Sequence, residues 1–197
     1  MPNFLILTAI LSLPILFWGL NQAMSAPLPA GFPGITPKDH MELKQYPAYR
    51  SGTYLYEGNL SNATSFAFDP LFRHISSNQI SMTAPVEARY PQAILTGTIA
   101  SGKAKVSFLY QNPGITPQKL DANIIVEDHP AMLVLSLGVQ GAYGFNSLAE
   151  HVAKLTTWLQ QHPEYEIAGE PRELLYDSPF TPDPLKRREV QIPVRRR

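Results

Sequence analysis

Apolar positions along this chain follow three different rhythms, and each predicts a different element. Phe4 to Leu20 is almost continuously apolar. Between Phe68 and Ile75, the apolar residues Phe68, Leu71, Phe72 and Ile75 recur at three- and four-residue spacing, which predicts a helix with one side to bury. Asp69 before Pro70 reads as a cap followed by a proline in the first helical position, so the helix is expected to start at Pro70 and to end at Ser76-Ser77-Asn78. Directly after it, Ile80, Met82 and Ala84 alternate with Ser81 and Thr83, the period of a half-buried strand, and Pro85 closes the run. A second helix is clearer: Leu148, Val152, Leu155 and Leu159 form a stripe, Ser147 and Glu150 have the spacing of a capping box, and His162-Pro163 ends it. Met41–Gln45, Tyr49–Glu57, Val106–Tyr110, Leu174–Pro179 and Val190–Val194 read as further strands.

The elements fall into a repeat. Lys44–Gly58 (KQYPAYRSGTYLYEG) and Glu127–Gly141 (EDHPAMLVLSLGVQG) both place a ring before Pro-Ala, then a strand, then a glycine at the same distance. Each copy is followed by a helix, a strand ending in proline and a closing apolar strand. The order strand, strand, helix, strand, strand therefore occurs twice. Such an order predicts antiparallel α+β rather than a doubly wound sheet, and no glycine-rich phosphate loop is present.

Charge changes the picture at the N-terminus. No Asp, Glu, Lys or Arg occurs before Lys38. A helix over the 17 residues Phe4–Leu20 covers roughly 25 Å, a little short of the hydrocarbon core of about 30 Å. Ala23 and Ser25 stand at the −3 and −1 positions of a cleavage site. Residues 1–26 thus read as a signal peptide, with an uncleaved membrane anchor as the alternative because Met1-Pro2-Asn3 carries no basic side chain. Either places the protein outside the cytoplasm, periplasmic or secreted, or on a membrane. Residues 27–39, rich in proline and glycine, read as an extended linker rather than a packed element, leaving a domain over 40–197. Formal net charge is zero over 197 residues, so no global field argues for a nucleic-acid partner.

Four separated stretches carry a resemblance. They are the F-x-x-L-F-x-x-I helix with ISMTAPV after it, LKQYPAYR at Leu43–Arg50, KVSFLY at Lys105–Tyr110, and YDSPFTPDPLKRREVQIP at Tyr176–Pro193. In order and spacing they resemble the SOUL family of haem-binding proteins, over roughly residues 40 to 194. The resemblance implies two four-stranded antiparallel sheets forming a distorted barrel flanked by two helices, and non-covalent, reversible binding of haem or a related tetrapyrrole. The chain departs from the family pattern at Ser76, Ser77 and Asn78, at His74 where a tyrosine is common, and at Arg188 where an asparagine is common.

Candidate chemistry follows from what a tetrapyrrole needs: an apolar cleft, cations for its carboxylates and an axial donor. The chain has no cysteine, which excludes a thiolate ligand, and no C-x-x-C-H, which excludes covalent attachment. His74, at the edge of the first helix's apolar face, is the candidate metal ligand; Phe72, Met82, Arg187 and Arg188 complete the candidate binding set. His151 and His162 lie on one side of the second helix, His129 in a turn and His40 in the linker. G-x-S-x-G, H-E-x-x-H and Walker A motifs are absent, so no enzyme is expected. The alternative is a general small-molecule binder like the effector-binding domains of the gyrase-inhibitor type. A carboxylate in its cleft would favour a cation, and Arg or His there would favour haem. Asn59 and Asn62 begin two N-glycosylation sequons.

Overall fold

The computed structural model describes residues 26–97 and 99–197. Residues 1–25, which hold most of the expected signal peptide or anchor, lie outside the described residues.

Strands β1 (Met41–Tyr46), β2 (Tyr49–Asn59), β3 (Val86–Arg89), β4 (Ser101–Leu109), β5 (Ile124–His129), β6 (Met132–Gln140), β7 (Tyr165–Ile167), β8 (Arg172–Leu175) and β9 (Arg187–Arg196) belong to one antiparallel sheet. Helix α1 spans Ala63–Ser77 and α2 spans Leu148–Gln161. Strand order is β1-β6-β9-β8-β3-β4-β2-β5, with β7 added to β9. The α+β class holds. The expected pair of four-stranded sheets is instead one continuous sheet, because β3 pairs with β8 through Glu87↔Leu174 and Ala88↔Glu173. It does not close into a barrel: β1 and β5 stand at opposite edges.

Alternation gives the sheet two buried faces of different chemistry. On the helix side, Val106, Phe108, Leu135, Leu137, Val190 and Ile192 pack with Leu71 and Ile75 of α1 and Leu148, Val152 and Leu155 of α2 in one apolar core. The other face presents Tyr49, Ser51, Thr53, Glu87, Ser107, Arg172, Glu189 and Gln191, all buried. These polar groups are tolerable there because they bond to one another: Thr53 Oγ1 to Ser51 and Ser107 at 3.0 and 2.9 Å, Arg172 Nε to Gln191 Oε1 at 2.9 Å, and Gln191 Nε2 to the Tyr46 hydroxyl at 2.9 Å.

Three local expectations are corrected. Helix α1 starts at Ala63, seven residues before Pro70, because Ala63 and Ala67 extend the buried stripe of Leu71 one and two turns backwards. Pro70 is accommodated inside it: the N–H it lacks would have served the carbonyl of Phe66, on the solvent side of the helix. Ile80–Ala84 is not a strand. Its bonds go to single partners, Thr83 Oγ1 to Leu109 O at 2.6 Å and Ala84 N to Pro27 O at 2.9 Å, and pairing starts only at Val86. The capping box is not formed either: the Ser147 side chain makes no capping bond to the helix, and its hydroxyl donates to Gly144 O at 2.9 Å and accepts from Arg188 Nη2 at 2.6 Å.

The stretch expected as a free linker is packed. Leu28, Phe32 and Ile35 lie on Tyr46, Val134, Leu174 and Tyr176, with Phe32 edge-on to Tyr46 and Tyr49 at 4.9 and 5.3 Å. Thr36 donates its N–H to buried Glu189. Beside it β6 has Gly138, where a Cβ would lie 2.1 Å from Pro37 O; only glycine lets this strand pass. Proline keeps the segment out of the ladder, while its three large apolar residues hold it against the sheet.

Candidate functional site

Helix α1 and the loop before β9 together shape a groove. Phe68 and Phe72, one turn apart on α1, are 36 % and 49 % exposed and stack at 6.0 Å between centroids with planes 7° apart. Phe68 also meets buried Phe108 edge-on at 5.5 Å, which fixes the pair against the core. Next to Phe68 a pocket of about 210 Å³ is lined by Met82, Val86, Leu175, Asp177 and Pro179. Phe180, at the loop tip, is 95 % exposed. Isolated exposed apolar residues are ordinary; a stacked aromatic pair beside an apolar-walled depression is a surface suited to being covered.

The loop is held by its ends. Asp177 takes two bonds from the Arg187 guanidinium, Nε at 3.0 Å and Nη2 at 2.6 Å, and a third from the Arg187 backbone N–H at 2.6 Å. The hydroxyl of Tyr143 receives the Asp177 N–H at 2.8 Å and donates to Arg187 O at 2.9 Å. Asp177 raises the Arg187 pKa, chiefly through this hydrogen bonding.

Of the five candidate binding residues, Phe72 and Met82 reach the groove, with Phe72 touching it through Phe68. Arg187 stands at its edge and is committed to Asp177. Arg188 is elsewhere: it is buried on the helix side, bonded to Glu173 Oε1 at 2.7 Å, Gly144 O at 3.2 Å and Ser147. His74 is not at a helix edge. It is fully buried, with Nε2 2.7 Å from the Tyr110 hydroxyl and Nδ1 buried without a partner. The ring fits because β2 has Gly52 beneath it, where a Cβ would lie 2.9 Å from His74 Cδ2. Burial lowers the His74 pKa, with only partial opposition from Asp121, so the neutral ring is favoured. His74 does not line the groove, and as placed it offers no nitrogen there. His162 bonds to Trp158 O at 2.8 Å and stacks on the Trp158 ring at 3.6 Å.

A second, larger cavity opens on the polar face of the sheet. Its volume is about 620 Å³, and Arg89, Arg172, Met132, Leu133, Pro193 and Val194 are among its walls. A neighbouring hollow of about 440 Å³ shares Arg89 and Glu170 with it. At its floor Glu87 is fully buried and receives Arg172 Nη1 at 3.1 Å, the Tyr49 hydroxyl at 2.7 Å and Arg89 Nε. Burial alone would raise the Glu87 pKa; Arg89 and Arg172 overcome it and bring the carboxyl down to about 2. His129 stacks on Tyr49 at 4.4 Å and accepts from Arg89 Nη2 at 2.8 Å. Burial and then the Arg89 charge push its pKa down to about 4, so it is neutral at pH 7. Arg172 Nη2 is buried and has no hydrogen-bond partner among the described residues, a state that costs about 1–3 kcal/mol. Sequence reading missed this cluster because Glu87, Arg89, His129 and Arg172 share no motif; pairing in the sheet is what collects them.

The family model described as SOUL heme-binding protein matches residues 32–193. The chain belongs to the SOUL family. That match starts within the proline-rich stretch, in keeping with its packing on the domain. A search of the curated proteins finds no match to this SOUL chain. Among solved structures, the EcmrR C-terminal domain superposes with a TM-score of 0.65 at 17 % identity, covering 80 % of this chain and 98 % of that one. A hydrolase from Listeria innocua gives 0.58 at 11 % identity, covering 81 % and 94 %. SAV2435 bound to tetraphenylphosphonium gives 0.50 at 14 % identity, covering 79 % and 94 %. At such identities the likeness shows the fold alone.

Proposed function

We propose that this SOUL protein binds haem or a related tetrapyrrole non-covalently and reversibly, without catalysing a reaction, on the groove between α1 and the loop before β9. Family membership supports the ligand class, and one observation carries the placement: the stacked, exposed pair Phe68 and Phe72 beside the Met82 pocket, with exposed Phe180 following Pro179 of its lining. A flat apolar macrocycle laid on these rings removes apolar area from water at about 25 cal/mol per Å², or about 2.5 kcal/mol for each 100 Å². The pocket is smaller than the roughly 300 Å³ at which small-molecule sites begin, so the ligand would rest across the groove with one edge inserted. Such half-covered binding leaves exchange fast, as sequestration or transfer requires. Met82 is the one sulfur donor in the lining, and exposed Arg73, next to Phe72, is the cation available to a propionate.

Two further readings belong to this proposal. Strand order reads the same from either edge when β1, β2, β3 and β4 are exchanged for β5, β6, β8 and β9, which supports duplication of one strand-strand-helix-strand-strand unit. Export or membrane anchoring rests on the apolar run Phe4–Leu20.

The test is titration of the full chain with hemin, followed at the Soret band. A saturable one-to-one shift, weakened in Phe72→Ser and unchanged in His74→Gln, is expected. A shift insensitive to Phe72 and Phe180 substitution would overturn the placement.

A further inference from the structure

The cavity on the opposite face of the sheet has a charge imbalance built into its floor. Two guanidiniums, Arg89 and Arg172, share one carboxylate, Glu87. Among the described residues no second carboxylate bonds to either guanidinium: Tyr49 donates its hydroxyl to Glu87, His129 is uncharged beside Arg89, and Glu127, whose charge also acts on Arg89, bonds through Oε1 to Lys105 at 2.6 Å. Glu170, Arg195 and Arg196 stand at the exposed mouth, where Arg195 is paired with Glu166. The imbalance is also visible as unused donors. Arg172, 1 % exposed, keeps Nη2 without a partner, and Arg89 Nη1 has none among the described residues. Buried N–H groups are almost always paired in folded proteins, so a guanidinium left open along a cavity wall is a place where an acceptor belongs.

The rest of the wall says what the acceptor is attached to. Pro130, Ala131, Met132 and Pro193 are apolar, and about 620 Å³ lies within the range of sites for small organic molecules. We infer that this cavity is a second binding site, separate from the α1 groove, for a small amphipathic carboxylate whose anionic head meets Arg89 and Arg172 and whose apolar body lies on Pro130, Ala131, Met132 and Pro193. The planar fork of a guanidinium matches a carboxylate in two parallel bonds, which an isolated lysine would not. The selectivity is opposite in sign to that for a lipophilic cation such as tetraphenylphosphonium, because the one carboxylate in the floor is already held by two arginines.

Calorimetric titration of the full chain with 4-phenylbutyrate and with 4-phenylbutylamine tests this. The acid is expected to bind one-to-one and at least tenfold more tightly than the amine of the same body. Arg89→Gln should weaken the acid tenfold or more. Ala131→Trp, which narrows the mouth without touching the arginines, should also weaken it, so a folding defect in the arginine variant does not decide the matter alone. Equal affinity for acid and amine, or an acid affinity unchanged in both variants, overturns the inference. Hemin titration of Ala131→Trp separates the two sites. Unchanged hemin binding is expected, while hemin that is blocked by Ala131→Trp and displaced by 4-phenylbutyrate would place the tetrapyrrole in this cavity and overturn the groove.

Discussion

His74 Nε2 lies 2.7 Å from the hydroxyl of Tyr110, beneath α1 and directly over Gly52 of β2. The missing side chain at position 52 makes the slot that the imidazole fills. Gly52→Ala would put a Cβ 2.9 Å from His74 Cδ2 and 3.2 Å from the Tyr110 hydroxyl oxygen. Neither ring is the flexible end of a long side chain, so the helix must lift. Overpacking of this kind costs about 1–3 kcal/mol. Urea denaturation of Gly52→Ala should show a loss of that size, and His74→Ala, which trades the clash for a void and an unpaired hydroxyl, a loss of similar order. An unchanged midpoint in both would mean that the ring does not occupy this slot.

Acid should destabilise the protein in two stages. His129 is held near pKa 4 by burial and the Arg89 charge, below its ordinary 6.5, so stability is fully present above pH 6.5 and falls as the folded state resists protonation between 6.5 and 4. Glu87, against the opposing effect of burial, is depressed by Arg89 and Arg172 from 4.5 to about 2, so its contribution is present above pH 4.5 and is lost as pH falls through that window. Urea midpoints measured from pH 7.5 to 3 should therefore decline in two steps. His129→Gln should flatten the upper step and leave the lower. A midpoint constant down to pH 4.5 in the parent protein would contradict the assignment.

What the sequence made legible was the apolar half of the fold. Leu148, Val152, Leu155 and Leu159 announce α2 because large side chains at helical spacing have no other use. Helix α1 was read one end short because Ala63 and Ala67 are too small to stand out, although their smallness is what lets the helix approach the sheet. The polar face was illegible for a deeper reason. Polar residues alternating with apolar ones in a strand ordinarily mark a solvated face, whereas Ser51, Thr53, Glu87, Glu189 and Gln191 face a second buried layer. Phe32 and Ile35 help cover that layer, in a segment whose prolines suggest exposure. In the groove, Phe72 and Met82 were found through the helix and strand signals, while Phe180 was passed over because no periodicity marks a loop tip.

Arg188 should prove structural rather than ligand-binding. It bonds to Glu173 at 2.7 Å in the interior, and burial raises the Glu173 pKa despite that charge. Removing the arginine alone leaves a carboxyl stranded beside the Tyr90 hydroxyl, so Arg188→Met should lose about 3–5 kcal/mol. Adding Glu173→Gln should recover much of this, because the neutral amide needs no counter-charge. The coupling is read from a double-mutant cycle in urea. Additive losses would show that the pair does not act as a unit, and a hemin affinity that tracks Arg188 without any stability change would return it to the binding set.

The groove makes the sharpest demand on the surface residues. Phe180 touches little and Phe72 is half in water, so Phe72→Ser and Phe180→Ser should each leave the unfolding midpoint within about 0.5 kcal/mol of the parent. Covering one aromatic ring contributes about 1.5–3 kcal/mol, and each 1.4 kcal/mol is a tenfold change in affinity. Each variant should then weaken hemin by about tenfold or more at unchanged stability, a separation that a core residue could not give. Met82→Leu divides what remains: it keeps the apolar wall and removes the sulfur, so a shifted Soret maximum at near-parental affinity indicates thioether contact with the iron, and an unshifted maximum indicates burial without ligation.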